Sequence, residues 1–221
     1  GLFQSSNEIS NQYKTGNMGL AGGFKWSMDQ NVNVHTVGAY AGTPLVDGAA
    51  QSGATLNTDG WSSGASSLKA GDVFTIAGVY AVNPQSRQST GQLRQFSVVS
   101  DISDSTGDLA ISISPAIVRS GAFQNVDSAP ADNAAITVLG AASTVSPVNI
   151  AYDRDAFVLG CADLVMPKGV DMASRASSKE LGLSARMVRA YDINNDKFPC
   201  RFDVLYGYKA VYPELACRIQ G

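Results

Sequence analysis

The C-terminal segment from Leu181 to Gln220 constrains the fold most strongly. Two runs rich in aromatic, aliphatic and β-branched residues flank a short polar cluster, Asn194-Asn195-Asp196-Lys197. This pattern predicts a β-hairpin, because Asn and Asp side chains bond to nearby backbone and tolerate positive φ in a turn. In the second strand, alternation places two sets of side chains on opposite faces: Phe202, Val204 and Tyr206, against Arg201, Asp203 and Leu205. We expect this hairpin to be the spine of the C-terminal part of the chain.

Composition favours a β-rich globular protein. The chain has 221 residues, of which 44% are hydrophobic and 16% charged, with 22 glycines and a net charge of −3. The length suits one large domain or two small ones, and the mild acidity argues against a nucleic-acid-binding surface. No apolar run is long enough to predict a transmembrane helix, and no signal peptide opens the chain. Because residue 1 is Gly rather than Met, we expect the native protein to be longer at its N-terminus.

The N-terminal half predicts one helix followed by many short strands. Ser5 and Glu8 have the spacing of a capping box for a helix within residues 1–16. Alternating residues then predict strand, turn and strand over residues 24–36. We expect residues 38–67 to be loops, with one short strand near residues 54–57. Further strands are expected at four places, and their near-regular spacing is typical of a small barrel or sandwich: residues 68–80, 93–100, 109–114 and 136–139.

The sequence pattern changes after Pro147. It predicts a helical turn around residues 153–156, in which Asp153 is the cap, and then a strand. Residues 173–179 are short and polar, and we expect them to be mobile. The hairpin then begins at Leu181.

Candidate catalytic and metal-binding residues do not form a recognisable pattern. His35 is the only histidine, and the three cysteines, Cys161, Cys200 and Cys217, lack the paired spacing of zinc ligands. A nucleophile usually needs a positioned base, so a single histidine favours a structural or surface role for His35. The sequence therefore predicts neither an enzyme nor a cofactor site.

Carboxylates occur in two clusters that we interpret as structural. One contains Asp153, Asp155 and Asp163 but lacks the ordered spacing of a calcium loop. The other, Asp192–Asp196, is interpreted first as a turn and second as a cation site.

Two C-terminal motifs resemble a known family. The segments Tyr191-Asp-Ile-Asn-Asn-Asp-Lys-Phe-Pro-Cys-Arg-Phe-Asp-Val-Leu-Tyr-Gly and Tyr212-Pro-Glu-Leu-Ala-Cys-Arg resemble the end of tailed-bacteriophage major capsid (coat) proteins. Within that family they resemble the podophage type, which carries an inserted β-barrel. The segment from Gly23 to Thr36 matches the strand that precedes the insertion. The chain corresponds to roughly the last two-thirds of such a subunit.

The resemblance implies an α+β, mostly β, architecture of the Hong Kong-type capsid fold. It implies that residues 1–38 end a peripheral domain, that residues 39–142 form an inserted β-barrel domain, and that residues 143–221 form axial-domain elements and the long hairpin. Because residues 39–142 have strands and turns of their own, we expect this segment to fold on its own. The implied function is that of a structural subunit of an icosahedral bacteriophage shell that self-assembles around a double-stranded DNA genome. The implied location is the virion, after assembly in the host cytoplasm.

The resemblance also implies the partners. These are many copies of the same chain, with scaffolding, portal and decoration proteins, and packaged DNA that is enclosed without specific recognition; no membrane is involved. An alternative from the residues alone is a secreted or surface-displayed β-rich carbohydrate-binding or adhesin-like module, in which Trp26, Trp61 and tyrosines stack on sugars. A hydrolase is the third alternative.

Charged residues of the hairpin are the candidate inter-subunit contacts. Both signs occur at close spacing in Arg189, Asp192, Arg201 and Asp203, so the surface can complement itself in neighbouring copies. We expect Asp192, Arg201 and Asp203 to matter more for assembly than for subunit stability. The alternative is that Arg201 pairs inside one subunit with the strand partner of Asp203.

Overall fold

The computed structural model describes residues 5–64, 66–103 and 106–220. These residues form two compact units. The first unit combines the N-terminal stretch up to Met28 with Asn149–Ile219, and the second is Asp29–Val148. The chain therefore leaves the first unit, builds the second, and returns to the first.

Strands account for most of the regular structure, as the sequence predicts. In chain order the elements are α1 (Ser6–Thr15), β1 (Asn17–Ala21), β2 (Phe24–Ser27), β3 (Asn33–Thr36), β4 (Gly42–Val46), β5 (Gly53–Trp61), β6 (Ser67–Leu68), β7 (Val73–Val82), β8 (Ser89–Val98), β9 (Ile102–Ser103), β10 (Leu109–Ile117), β11 (Ile136–Val138), β12 (Val145–Tyr152), β13 (Phe157–Ala162), β14 (Met172–Ser178), β15 (Leu183–Arg189), β16 (Cys200–Asp203), β17 (Leu205–Ala210), a 3₁₀ helix (Pro213–Leu215) and β18 (Ala216–Gln220).

The second unit is built on a six-stranded antiparallel sheet that nearly closes into a barrel. Its strand order is β11-β7-β8-β10-β5-β4. The outer strands meet at a bridge between Leu45 and Ala135, next to which the Val46 amide donates to the Ala134 carbonyl at 3.0 Å. Closure of this kind leaves little exposed strand edge. The prediction of a small barrel, within a mostly β chain, is confirmed.

The barrel interior is filled by alternate residues of its strands. In β10, Leu109, Ile111 and Ile113 are buried, while the intervening residues are exposed. Phe74 of β7 and Phe96 of β8 are direct cross-strand partners, with ring centroids 5.9 Å apart. Because each fully buried side chain of this size contributes about 1.5–3 kcal/mol, this interior stabilises the unit.

A buried carboxylate fixes the chain where it enters the barrel. Asp72 is fully buried; its Oδ1 lies 2.8 Å from His35 Nε2, and its Oδ2 accepts from the amides of Lys69 at 2.7 Å and Gly38 at 3.1 Å. A Cβ at position 38 would lie 2.7 Å from the Leu68 Cα, so only glycine fits there. His35 therefore has a structural partner.

The N-terminal helix of the first unit has sequence-encoded ends. The Ser5 hydroxyl accepts from the Glu8 amide at 3.3 Å, which caps the first turn. Gly16, at φ +68°, ends the helix, and its amide donates to the Gln12 carbonyl at 3.0 Å. The predicted helix is confirmed over Ser6–Thr15, and residues 1–4 of that prediction lie outside the described residues. Strands β1 and β2 follow as an antiparallel pair.

The remaining strands of the first unit form small sheets. Strand β13 pairs with β17 along its whole length, and a three-stranded sheet has the order β14-β15-β16. Among the described residues of this unit, the buried apolar side chains are Ala151 and Ala156. These sheets therefore lack a large interior of their own.

The predicted C-terminal hairpin exists, but its second arm changes partner. Strands β15 and β16 pair in antiparallel register, and an isolated bridge between Asp192 and Lys197 closes the turn. After Val204 the chain becomes β17, which pairs with β13 instead of β15. The expectation of one continuous long hairpin is therefore wrong beyond Asp203, because a strand pattern specifies which side chains share a face but not which strand lies beside it.

Two local expectations are also wrong, and a third is met in part. Residues 38–67 contain β4 and the nine-residue β5, since Leu56, Thr58 and Trp61 face the interior between small polar residues. Residues 173–179, expected to be mobile, lie mostly in β14, whose backbone pairs with β15 without needing apolar side chains. The turn predicted at residues 153–156 is present as a single turn before β13, and the Asp153 carboxylate accepts from the Asp155 amide at 3.1 Å.

Candidate inter-subunit surface

The sequence-predicted contact residues lie on and beside the β15–β16 pair. In the observed register Asp203 is opposite Arg186, Arg201 is opposite Val188, and Arg189 is opposite Cys200. Since cross-strand partners share a face and faces alternate along a strand, Arg201 and Asp203 lie on one face and Arg189 lies on the other. The structure thus separates Arg189 from the two residues with which the pattern grouped it.

Asp203 binds two arginines at once. Its Oδ2 accepts from Arg186 Nε at 3.2 Å and from Arg186 Nη2, and its Oδ1 lies 2.8 Å from Arg201 Nε. The hydrogen bonds from Arg186, and then those from Arg201, lower the pKa of Asp203 below its usual value. Arg186 also donates to the Val165 carbonyl, so it joins β15 to the loop between β13 and β14.

Arg201 is the exposed member of this cluster. The exposed fraction of its side chain is 72%, compared with 15% for Arg186 and 19% for Asp203. Arg201 pairs with Asp203, two residues along the same strand. The residue opposite Asp203 on the neighbouring strand is Arg186, which is also a cation and so cannot pair with Arg201. Arg186 therefore holds the carboxylate in place, while Arg201 is the charge presented to solvent.

Arg189 has its own anchors. Its Nη2 lies 2.7 Å from Asp171 Oδ2, and its guanidinium lies 5.5 Å from the centroid of the Phe198 ring. An ion pair combined with a cation–π contact holds this long side chain along the sheet. Asp171 and Phe198 were not identified from the sequence, because neither has a fixed spacing from Arg189.

Asp192 is occupied within its own turn. Its carboxylate accepts from the Asn195 side-chain amide at 2.7 Å and from the Asn194 backbone amide at 3.0 Å. These hydrogen bonds, with Asn195 contributing most, lower the pKa of Asp192. This geometry is that of a turn-stabilising aspartate.

A small hollow adjoins the Arg186–Asp203–Arg201 cluster. Its volume is about 340 Å³, and its apolar lining consists of Pro167, Val170, Val188, Ala190 and Pro199. Arg186 and Arg201 complete the lining. This face of the β15–β16 pair therefore combines an apolar depression with fixed charge.

Comparison with known proteins identifies the family. The family model described as P22 coat protein, gene protein 5, matches residues 10–221, which is nearly the whole chain. The chain belongs to the P22 coat protein family. This family is a structural, capsid-forming one, and its coat proteins associate with copies of themselves.

Solved structures also match part of this coat protein. The I-domain of the CUS-3 coat protein is 28% identical; the match covers 45% of this chain and 96% of the I-domain, with a TM-score of 0.34. No curated protein matches the sequence at a significant level.

Other candidate sites in this coat protein do not assemble. Across residues 5–64, 66–103 and 106–220, no three His, Cys, Asp or Glu side chains are placed to share a metal ion. Trp61 is buried, and its Nε1 donates to Thr58 Oγ1 at 2.8 Å, so it is not a platform for sugar stacking. None of the helices in the described residues is long and apolar enough to cross a membrane.

Proposed function

We propose that this chain is a subunit of an icosahedral bacteriophage shell that self-assembles around double-stranded DNA. The observation that carries the proposal is the family match over residues 10–221. Assembly takes place in the host cytoplasm, and the finished shell is part of the virion. The net charge of −3 fits a shell that encloses DNA without a sequence-reading surface.

Exposed apolar surface in the first unit supports a role in a multi-copy assembly. In the β13–β17 pair, Leu159, Tyr206 and Tyr208 each expose more than half of their side chain. Isolated two-stranded sheets are marginal in water, and monomeric proteins rarely expose continuous apolar patches of large area. A subunit that functions among many copies of itself does not have to meet that restriction.

The proposed domain organisation follows the sequence expectation. Residues 39–142 are the inserted β-barrel domain, and residues 1–38 and 143–221 are the peripheral and axial elements on either side of it. The compactness of the unit Asp29–Val148 supports this proposal. Scaffolding, portal and decoration proteins are the further partners of the assembled subunit.

The four charged residues are proposed as contacts between subunits. Arg201 is the best placed of them, because it is largely exposed while its direction is fixed by Asp203. Individual exposed ion pairs contribute about 0–1 kcal/mol. In a symmetric shell the same weak contact recurs at every equivalent interface, so its effect on assembly exceeds its effect on one subunit.

Sedimentation of the intact coat protein tests the proposed function. Expression should give particles of shell size that sediment far ahead of a single subunit. Electron microscopy of the same fractions should show closed shells. A protein that stays monomeric at all concentrations, with or without a co-expressed scaffolding protein, would contradict the proposal.

A further inference from the structure

One loop of the barrel unit holds an aromatic side chain in solvent. Phe123 lies between β10 and β11, and its exposed fraction is 86%. Single exposed apolar residues are common on protein surfaces. The feature that distinguishes Phe123 is the loop beneath it, which is fixed by a dense set of hydrogen bonds.

Asn125 ties the two sides of this loop together. Its Nδ2 donates to the Ala116 carbonyl at 2.7 Å, its Oδ1 accepts from the Val118 amide at 3.0 Å, and its own amide donates to the Val118 carbonyl at 2.9 Å. Ile117 and Val126 on the two sides are fully buried in the barrel core. The loop therefore holds Phe123 as a preorganised apolar projection, which we call the Phe123 knob.

The same unit carries an apolar hollow where its barrel seam opens. Beyond the Leu45–Ala135 bridge, β4 and β11 separate around a space of about 350 Å³. The far end is closed by Tyr40, whose hydroxyl donates to the Gly140 carbonyl at 2.6 Å. All nine lining residues are uncharged, and they include Pro44 and Val138. We call this space the seam hollow.

The size and lining of the seam hollow suit one large apolar side chain. Its volume lies at the lower end of the range for small-molecule pockets, about 300–1,000 Å³. An aromatic side chain buries about 150–250 Å² in such a site, and aromatic anchors dominate the energetics of protein interfaces.

The knob and the hollow of one chain cannot meet. Positions along strand β7 give the distance between them. Thr75 pairs with Thr137 at the hollow, whereas Ala81 bridges Val126 near the knob. Six residues of strand separate these two points by about 20 Å. A knob and a hollow on different parts of one surface make a heterologous contact, which propagates from copy to copy.

We propose that Phe123 of one copy inserts into the seam hollow of a neighbouring copy in the assembled shell. The proposal rests on the proposed self-assembly, and it names a contact between barrel units that is separate from the charged residues on β15 and β16. The occupant is a second copy of this chain, because coat proteins of this family associate with copies of themselves and each copy carries both the knob and the seam hollow.

Cysteine cross-linking in particles tests the contact directly. In a background with Cys161, Cys200 and Cys217 replaced by serine, Ala122→Cys beside the knob is combined with Thr137→Cys at the hollow. Mild oxidation of particles should give a ladder of covalent multimers beyond the dimer. The matched control combines Ala122→Cys with Gln92→Cys, an exposed β8 position, and should give no ladder.

Side-chain truncation supplies the second measurement. Phe123→Ala should leave the Tm of the subunit within about 2 °C, because the side chain is exposed. It should lower particle yield at limiting subunit concentration by about tenfold, and Phe123→Leu should restore much of the loss. Unchanged yield for Phe123→Ala, or the absence of a ladder in particles, would overturn the proposal.

Two further outcomes distinguish the knob contact from a contact at a different hollow and from a failure of assembly. A ladder that forms only when Ala122→Cys is combined with Pro167→Cys would place the knob in the hollow beside Arg201 and would also overturn the proposal. If the unaltered protein gives no particles at all, the proposed function fails. In that case the same cross-linking experiment on concentrated soluble protein tests the knob contact independently of assembly. A ladder of multimers would support the contact, and the absence of a ladder would refute it.

Discussion

The two units of this coat protein use β-strands in opposite ways. The barrel unit buries alternate residues of its strands in one continuous core that extends from Val37 to Val138. The first unit also consists mostly of strands, but β17 exposes all six of its residues and β14 exposes six of seven. Hydrophobic alternation is therefore stabilising only where a second layer covers one face of the sheet.

Separation of the units should have the largest effect. The fragment 29–148 should melt cooperatively and give a β-rich spectrum, and the shorter fragment 39–142 should also fold. The shorter fragment should be less stable by about 4–6 kcal/mol, because it loses the buried Val37 and both the His35 and the Gly38 contacts to the buried Asp72 carboxylate. Circular dichroism with chemical denaturation measures both, and a disordered spectrum for 29–148 would refute the independence of the barrel.

A core truncation should have the next largest effect. Phe74→Ala removes a fully buried ring that packs against Phe96, and it should lower the free energy of unfolding of the barrel by about 3–5 kcal/mol. The matched control in the first unit is Tyr208→Ala, which removes a ring that is 82% exposed and should cost less than about 0.5 kcal/mol in the subunit. If the denaturant midpoint fell equally for Phe74→Ala and Tyr208→Ala, the two units would not differ in how much their aromatic side chains contribute to stability.

Replacement of the buried carboxylate should have an intermediate effect. Asp72→Asn removes the negative charge that the His35 ring and two backbone amides face, and it replaces one accepting oxygen with a donating nitrogen. We expect a loss of about 2–3 kcal/mol in the free energy of unfolding. Asp47→Asn, at an exposed position of the same unit, is the control. Equal denaturant midpoints for the two variants would show that the His35–Asp72–Gly38 contacts contribute little.

Loss of the exposed arginine should have a small effect on the subunit. Arg201→Ala should change the free energy of unfolding by less than about 1 kcal/mol, because Arg186 continues to hold Asp203. Particle yield should fall more clearly than stability. Melting and sedimentation of the same preparation measure the two quantities, and a large drop in Tm with unchanged yield would show that the role of Arg201 is internal to the subunit.

Acid should produce the smallest of these effects. The pKa values of Asp101 in the barrel, and of Asp192 and Asp203 in the first unit, are lowered below 3.8 by hydrogen bonds to their carboxylates. A carboxylate with a lowered pKa contributes stability above pH 3.8 that is lost as the pH falls through its folded value. NMR titration of the aspartates should show all three midpoints below 3.8. Midpoints at or above that value would contradict the observed hydrogen bonds.

Local features of the fold could be predicted from sequence, whereas partner choice could not. The cap at Ser5, the end of α1 at Gly16 and the turn at Asp192–Lys197 depend on residues a few positions apart, and the structure contains all three. The pairing of β17 with β13 joins residues more than 40 positions apart, so the switch after Val204 leaves no local signal. The inter-strand neighbour of a β-strand is determined by the whole sheet.

The candidate site shows the same division. Alternation correctly placed Arg201 and Asp203 on one face of a strand. The second arginine at Asp203, Arg186, depends on the register of β15 against β16. The ion pair between Arg189 and Asp171 depends on the register of β14 against β15 and on the loop between β13 and β14. Asp72 likewise follows Gly71 in what resembles a simple turn, and its burial becomes evident only when β3 is positioned beside it.

The pairing of β3 with β12 has an evolutionary consequence. Thr36, where the chain enters the barrel, lies directly opposite Val145, where it leaves, so the two crossings are about 5 Å apart. A protein can accept such a module between two neighbouring residues of its chain, because the two ends of the module lie close together. The barrel could therefore have been acquired in a single recombination event, and homologous modules of different length could be exchanged at the same two crossings without changing the rest of the coat protein.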